Sequence, residues 1–407
     1  MINLNTKTYL EISQSFGSPT YVYDLDLVKK RYQELCQFIH WPTLKIHYAM
    51  KANYNLDVLK TIRSLDGYLD TVSPAEVILA QKAGFTPSQL LYTANNLTED
   101  EMHFVHKTGV LLNIGSLSRL EKYGKAYPGS RVCLRFNPDV VAGAHEKIKT
   151  GGDLTKFGIL LEDVPKVEAL ISQYNLSVVG LHEHTGSGIG DTEAVYQSMR
   201  NLLGIATKEV FPDLEFIDFG GGFQVPYHPD EKRIDYPEMG RKITEIFSEF
   251  CNNYGKELAL YFEPGKYIVA ESGTLLVEVN TIKENKTRTI VGTNSGFPQL
   301  IRPMFYDAYH HILNLSNPTG TEIAYDICGN ICETGDRFAE NRLIPEIREG
   351  DILAIQNAGA YCYVMGGVYN LRAMPSEVVI QNGAARLSRQ RLSNNGLIDQ
   401  LLSEFAT

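Results

Sequence analysis

The run LKIHYAMKAN, residues 44–53, followed at once by NLDVLKTIRSL, residues 55–65, decides how the chain is read. The first is a short apolar stretch that ends in polar residues. The second spaces its apolar residues three and four apart, the pattern of an amphipathic helix fed by a buried strand. The unit then recurs. Apolar runs stand at 68–72 (YLDTV), 89–94 (QLLYTA), 110–114 (VLLNI), 131–136 (RVCLRF), 177–184 (SVVGLHEH), 214–219 (LEFIDF) and 258–263 (LALYFE). Between them PAEVILAQKAG (74–84), EDVPKVEALI (162–171) and YPEMGRKITEIFSEFCNNYG (236–255) read as helices. Ser73 before Pro74 with Glu76 three residues on, and Thr98 before Glu99-Asp100-Glu101, read as helix starts. Eight strand–helix units over roughly 220 residues are what a (β/α)₈ barrel of the TIM type requires. Periodicity alone leaves one alternative, an open doubly wound sheet, which usually has fewer strands and a phosphate loop after the first.

Outward from the barrel, LDLVKKRYQELCQFI (25–39) supplies a helix ahead of the first strand. After residue 265 the texture changes. GTLLVEVNTIKEN (273–285), RTIVGTNSG (288–296), TEIAYDICGN (321–330), DILAIQNAGAY (351–361) and SEVVIQNGA (376–384) are strand-like with few helical intervals. The expected organisation is an α/β barrel over 25–265, then a β-sandwich or β-barrel domain over 266–407. PTYVYD (19–24) adds a strand to that domain from residues 1–24, and NNGLIDQLLSEF (394–405) closes the chain as a short helix.

Composition limits the partners. Of 407 residues, 43% are hydrophobic and 21% charged, so the chain is globular. Its 38 Lys and Arg against 48 Asp and Glu give −10, which argues against nucleic acid and anionic membrane. No apolar run approaches the ~20 residues of a membrane helix. No basic start followed by an apolar core reads as a secretory signal. Six cysteines are too sparse for a disulfide scaffold, so a reducing cytoplasm is expected.

In a barrel of this kind the active site lies at the C-terminal strand ends. Those ends carry Tyr48-Ala49-Met50-Lys51, Asp70 with Ser73, Arg135-Phe136-Asn137, the stretch His182 to Gly188, Gly220-Gly221-Gly222, and Glu263-Pro264-Gly265. Lys51 ends an apolar strand, where burial is expected to lower its amine pKa and favour a Schiff base; a plain surface lysine is the bland reading. The glycine triplet offers free backbone N–H groups, and a helix after it would add a positive end that suits phosphate. It also reads as an ordinary strand-to-helix turn. His182 and His184 share a strand face with Glu183 opposite. No third ligand stands at a recognisable spacing, so no metal is expected, and a ring stacked on a flat cofactor fits better.

Taken in order, HYAMKAN, DTVSPAEV, LRFNPDV, KFGI, GLHEHTGSG, DFGGGFQVPY, EPGKYIVAESG, LIRPMFYDAYHHI, CETGD and GAYCYVMGGVYN resemble the fold-type III pyridoxal-phosphate decarboxylases. Within them, the likeness is to the diaminopimelate decarboxylase family and runs over nearly the whole chain, from residue 19 to 379. It implies an alanine racemase-like barrel with a C-terminal β domain, and decarboxylation of meso-2,6-diaminopimelate to L-lysine. The implied cofactor is pyridoxal 5'-phosphate, held by Lys51, with His184 stacked on its ring and Glu263 at the ring nitrogen. Ser187, Gly221, Gly222, the segment Glu263-Pro264-Gly265-Lys266 and Tyr361 match the phosphate-binding set, and Asp70 and Arg135 match residues near the lysine and the ring hydroxyl. Arg302 and Tyr306 match the pair that grips the substrate's far carboxylate, with Lys266 and Tyr361 also at the substrate. Cys332 and Glu333 match the proton donor and the partner of the substrate amine. In the family those two come from a second subunit, which implies a homodimer with shared sites.

Three stretches depart from the family pattern. Lys266 stands where arginine is usual, MGGVYN carries two glycines, and NSGFPQLIRP approaches Arg302 differently. Lysine offers charge without the planar fork of arginine. The rival readings are a sister decarboxylase for another amino acid or polyamine precursor, an amino-acid racemase on the same barrel, and a non-catalytic regulator of the same fold. Racemisation needs acids or bases on both faces, which CETGD and RPMFY fit poorly. Intact Lys51, Glu263 and Cys332 speak against a regulator.

Overall fold

The computed structural model describes residues 4–140 and 156–405. After β1 (Thr20–Asp24) and the helix Leu25–Phe38 come β2 (Leu44–Ala49), β3 (Tyr68–Thr71), β4 (Leu90–Tyr92), β5 (Leu111–Ile114) and β6 (Arg131–Asn137). The two-residue β7 (Ile159–Leu160) extends the pairing of β6, and β8 (Ser177–His182), β9 (Phe216–Asp218) and β10 (Ala259–Phe262) complete the set. All neighbours pair in parallel, β5 with β6 and β10 with β2 included, so β2–β6 and β8–β10 close on themselves. The open-sheet alternative is excluded. All eight apolar runs form barrel strands.

Local chemistry explains the helices. Ser73 accepts the Glu76 N–H at 3.2 Å while Glu76 accepts the Val72 N–H at 2.7 Å, so two orphan donors at the start of Pro74–Lys82 are satisfied. At the helix Glu99–Thr108 the pair is fully reciprocal, the Glu101 N–H donating to Thr98 Oγ1 at 3.1 Å and the Thr98 N–H to Glu101 Oε2 at 2.8 Å. Gly180 supplies room in β8, because an added Cβ would run into the Phe216 ring. One expectation fails. The residues after Gly220-Gly221-Gly222 form a loop, and the next helix, Tyr236–Tyr254, begins well beyond it. Pro226 and Pro229 lack the N–H an inner helical turn needs, and they keep this stretch irregular. The dipole of that helix therefore does not reach the triplet.

The second sheet is mixed. It contains β11 (Gly273–Glu284), β12 (Thr289–Thr293), β13 (Ile312–Asn314), β14 (Glu322–Cys328), β15 (Arg337–Pro345), β16 (Ile352–Ile355), β17 (Ser376–Gln381) and β18 (Ala384–Arg389). Its order is β15-β14-β12-β11-β1-β17-β18, with β16 between β11 and β13. β1 lies inside this sheet, antiparallel to β11 and parallel to β17. The helix Asn394–Ser403 follows. Among the described residues no helix is long and apolar enough to cross a membrane.

The sheet is tied directly to the barrel rim. The Tyr361 N–H donates to the Ala52 carbonyl at 2.8 Å, and the Asn53 side chain donates to the Gly359 carbonyl at 3.0 Å. The loop after β16 thus clasps the two residues that follow Lys51.

Candidate active site

Lys51 sits in a single 3₁₀ turn, Met50–Ala52, at the top of β2. The register of β2 on β3 sets Ala49 beside Asp70, and the Lys51 ammonium forms an ion pair with the Asp70 carboxylate. Burial alone would lower the amine's pKa, but the carboxylates of Asp70 and Glu263 outweigh it and the pKa is raised. This corrects the sequence expectation of a lowered value, which took no account of Asp70. Asp70 is itself pushed up to about 6 by burial and by Glu263, with Lys51 opposing.

Behind this pair the barrel interior is polar. Glu263, just beyond β10, is held on both oxygens: Thr93 Oγ1 donates to Oε1 at 3.1 Å, and His182 Nε2 stands 3.1 Å from Oε2. Arg135 is nine-tenths buried, its guanidinium lies 4.7 Å from the centroid of Phe157, and its Nη2 has no hydrogen-bond partner among the described residues. His184 lies against the glycine triplet and accepts the Gly221 N–H on Nδ1 at 3.1 Å. Burial and the nearby Arg135 depress its pKa well below the ordinary value, so the ring is neutral. Glu183 points the other way, to Ser198. Asp218 joins His182 and Glu263 in a buried group whose ligand-type atoms lie within 4.8 Å of one another. Sequence spacing gave no third partner for the histidines; the closed barrel brings one to His182 from another strand, and His184 is not part of that group.

The glycines make a narrow recess beside His184, Ser187 and Tyr361. Gly222 has φ of +108°, and a Cβ there would stand 2.7 Å from Ile189 Cδ1. A Cβ on Gly221 would strike the Glu263 carbonyl, and one on Gly265 would lie 2.9 Å from Ala52 Cβ and 3.1 Å from the Tyr361 hydroxyl. The Pro264 carbonyl accepts the Ala49 N–H at 3.2 Å, which fixes this segment to β2. A side chain at any of the three glycines would collide with the atoms that wall the recess. An amine at Lys51, a flat neutral imidazole, a carboxylate, an unpartnered buried guanidinium nitrogen and a glycine cradle together fit a flat, phosphorylated pyridine aldehyde.

The recess opens into a cleft of about 660 Å³ lined by Lys51, Ser187, Lys266, Arg302, Tyr306 and Tyr361. Arg302 is nine-tenths buried, with its guanidinium 5.2 Å from the Tyr227 centroid and 5.7 Å from that of Tyr306. Among the described residues no carboxylate pairs with Arg302 or with Lys266. Burial and Arg302 lower the Lys266 amine to about 7. Glu231 lines the same cleft and its charge opposes the fall at Lys266, and the buried Arg302 guanidinium, with no carboxylate paired to it among the described residues, leaves this end of the cleft able to receive a carboxylate. Cys332 and Glu333 do not line the cleft. Both are exposed, Cys332 Sγ within 3.5 Å of Asn370 Oδ1 and Glu333 accepting the Tyr369 hydroxyl at 3.0 Å.

Several site residues escaped the sequence reading. Thr93, Asn113 and Asp218 sit on apolar strands, and their signal was a polar residue where alternation points inward. Tyr227 and Phe157, which stack on the two guanidiniums, lie in loops and carried no signal.

The family model for the pyridoxal binding domain of pyridoxal-dependent decarboxylases matches residues 25–270. The diaminopimelate decarboxylase of Methanothermobacter thermautotrophicus is 39% identical over 397 residues, covering 96% of this chain and 92% of that protein. That of Aquifex aeolicus is 32% identical over 401 residues, covering 96% and 93%. The crystal structure of diaminopimelate decarboxylase from Helicobacter pylori complexed with L-lysine superposes with a TM-score of 0.90 at 29% identity, covering 98% of this chain and all of that one. With its closed barrel, its lysine at the rim and this likeness end to end, the chain belongs to the pyridoxal-dependent decarboxylases and, within them, to the diaminopimelate decarboxylase family.

Proposed function

We propose that this chain removes one carboxylate from meso-2,6-diaminopimelate as CO₂ and leaves L-lysine. The observation that carries this reading is Arg302, a buried guanidinium without a carboxylate partner, in the same cleft as Lys51. A substrate with a second carboxylate beyond its second amine supplies that missing partner, whereas lysine, ornithine and arginine do not. The related Helicobacter pylori protein binds L-lysine, the product of this reaction.

Pyridoxal phosphate, when bound, supplies an electron sink for the pair left on Cα as CO₂ departs. The chain's residues do the rest. Lys51 anchors the cofactor and Asp70 pairs with its ammonium. His184 would pack on the ring face, Arg135 would lie near the ring hydroxyl, and Glu263 would face the ring nitrogen and favour its protonated form. Ser187, Gly221, the N–H of Gly222, Gly265, Lys266 and Tyr361 would form the cradle for the phosphate. Arg302 and Tyr306 orient the distal carboxylate, and an arginine can do so bidentately. Lys266, next to Arg302, adds charge at the substrate end.

Cys332 delivers the proton to Cα and Glu333 meets the substrate amine, both from a second subunit. Support comes from the face that carries them. Met304, Phe305, Val368, Tyr369 and Leu371 are exposed, and Tyr369 bonds Glu333 while Met304 lies against Gly335. The helix Arg302–Tyr306 runs from this face into the cleft. A homodimer closed there in the cytoplasm, with the barrel over 25–265 and the β domain over 266–407 plus the strand from 1–24, completes the reading. Release of labelled CO₂ and of lysine, measured across a panel of diamino acids, tests it. Release from diaminopimelate alone supports it, and equal or faster turnover of ornithine or lysine overturns it.

A further inference from the structure

The rim layer of the barrel interior holds three buried carboxylates, Asp70, Asp218 and Glu263, against two cations, Lys51 and Arg135. The layer also contains His182, whose imidazole is kept neutral by burial and by Arg135. A buried layer with one uncompensated charge is costly, so one of the three acids keeps a proton. Asp70 is paired with Lys51. The choice lies between Asp218 and Glu263.

Hydrogen-bond direction decides it. Asn113 Nδ2 donates to Thr93 Oγ1 at 3.3 Å, so the Thr93 hydroxyl proton is free to go to Glu263 Oε1. A neutral His182 facing a carboxylate presents its N–H there, at Nε2. Each oxygen of Glu263 thus accepts from a donor, the arrangement that suits an anion. Asp218 differs. Its Oδ1 accepts one backbone N–H, from Gly220 at 2.8 Å, and its Oδ2 has no partner. Asp218 is fully buried, and the other titratable groups facing it are Glu263, Asp70, Lys51, Arg135, His182, Cys133 and Tyr261. Burial pushes both acids up; Lys51, Arg135 and Thr93 hold Glu263 back, whereas at Asp218 the charges of Glu263 and Asp70 add to the rise and the Gly220 N–H and Lys51 oppose it.

We infer that Asp218 keeps the proton of this layer and that His182 donates to Glu263, so that both act as positioning residues which present Glu263 to the cofactor ring nitrogen as an oriented anion. This rests on the proposed role of Glu263, yet the state of Asp218 can be read without any cofactor. His182 orders the Glu263 carboxylate through one oxygen and leaves its free lone pairs toward the cleft. Asp218 removes a competing negative charge from the same layer by staying neutral.

The test uses the full chain in two forms. In the cofactor-free protein, infrared spectroscopy should show the C=O stretch of a protonated carboxylic acid at neutral pH, lost in Asp218→Asn. If that variant does not fold, ¹³C-labelled aspartate in the unaltered protein reports the same acid by its carboxyl shift. In protein loaded with ¹⁵N-labelled pyridoxal phosphate, the ring nitrogen should give the protonated shift. His182→Leu should move that shift toward the neutral ring and lower kcat by about tenfold or more with KM little changed, and His182→Gln, which restores an N–H donor, should recover most of both. An ionised Asp218 in the cofactor-free protein would overturn the inference. So would a ring-nitrogen shift untouched by His182→Leu in a protein that binds cofactor. Failure to bind pyridoxal phosphate at all would instead sink the wider reading, while the infrared band would still decide the state of Asp218.

Discussion

Lys51, in the turn that follows β2, and Asp70, on the neighbouring β3, are set by a register that places Ala49 opposite Asp70, and their side chains meet as an ion pair at the mouth of the barrel. The pair holds the amine charged when no cofactor is bound, because Asp70 and Glu263 together outweigh the burial that would lower its pKa. Capture of an aldehyde needs the neutral amine, so Asp70, by favouring the charged form, would slow it.

Borohydride reduction of the cofactor-loaded protein should therefore abolish its visible absorbance and leave the label on Lys51, located by peptide mass analysis. Asp70→Asn should shift the alkaline rise in the rate of cofactor capture to lower pH, because the amine loses the carboxylate that raises its pKa. A label on another lysine, or a rate profile that does not move, contradicts this account.

Lys266 gives a pH dependence of opposite sign. Its amine is lowered to about 7, first by burial and then by Arg302. The group is charged below that value and neutral above it, so KM for a dicarboxylate substrate should rise as pH climbs through about 7. Lys266→Arg keeps its charge across this range and should flatten the rise. Steady-state kinetics at several pH values check both.

The shared site has a direct complementation test. Lys51→Ala and Cys332→Ala should each be inactive as homodimers. Mixed subunits should regain activity, because one of the two sites in each heterodimer then carries both residues. No recovery after verified subunit exchange contradicts the placement of Cys332 across an interface.

The barrel was legible because its strands are bounded apolar runs, and its helices start at Ser73 and Thr98 with capping residues in plain order. β15 and β18 were not, since RFAENRLIP and AARLSR carry charged residues along strands with exposed faces. The helix Thr6–Phe16, opened by Asn5, was also passed over. At the site, Lys51, His184, Glu263 and the glycines stood out because they end strands. Asp218 and Thr93 did not, because each is one polar residue at an apolar strand's end and only the closed barrel shows what they face. The raised pKa of Lys51 was hidden for the same reason: its cause lies on another strand.

The central claim is that Arg302 selects a second carboxylate, and Arg302→Ala tests it most directly. Loss of a buried, charge-assisted contact typically costs about 2–5 kcal/mol, so kcat/KM for diaminopimelate should fall roughly 30-fold to several thousand-fold. Turnover of lysine or ornithine, however slow, should change far less, and the cofactor's absorbance should be unaltered. If Arg302→Ala lowers every substrate equally, the arginine supports the fold or the cofactor, and the assignment of diaminopimelate as substrate is contradicted.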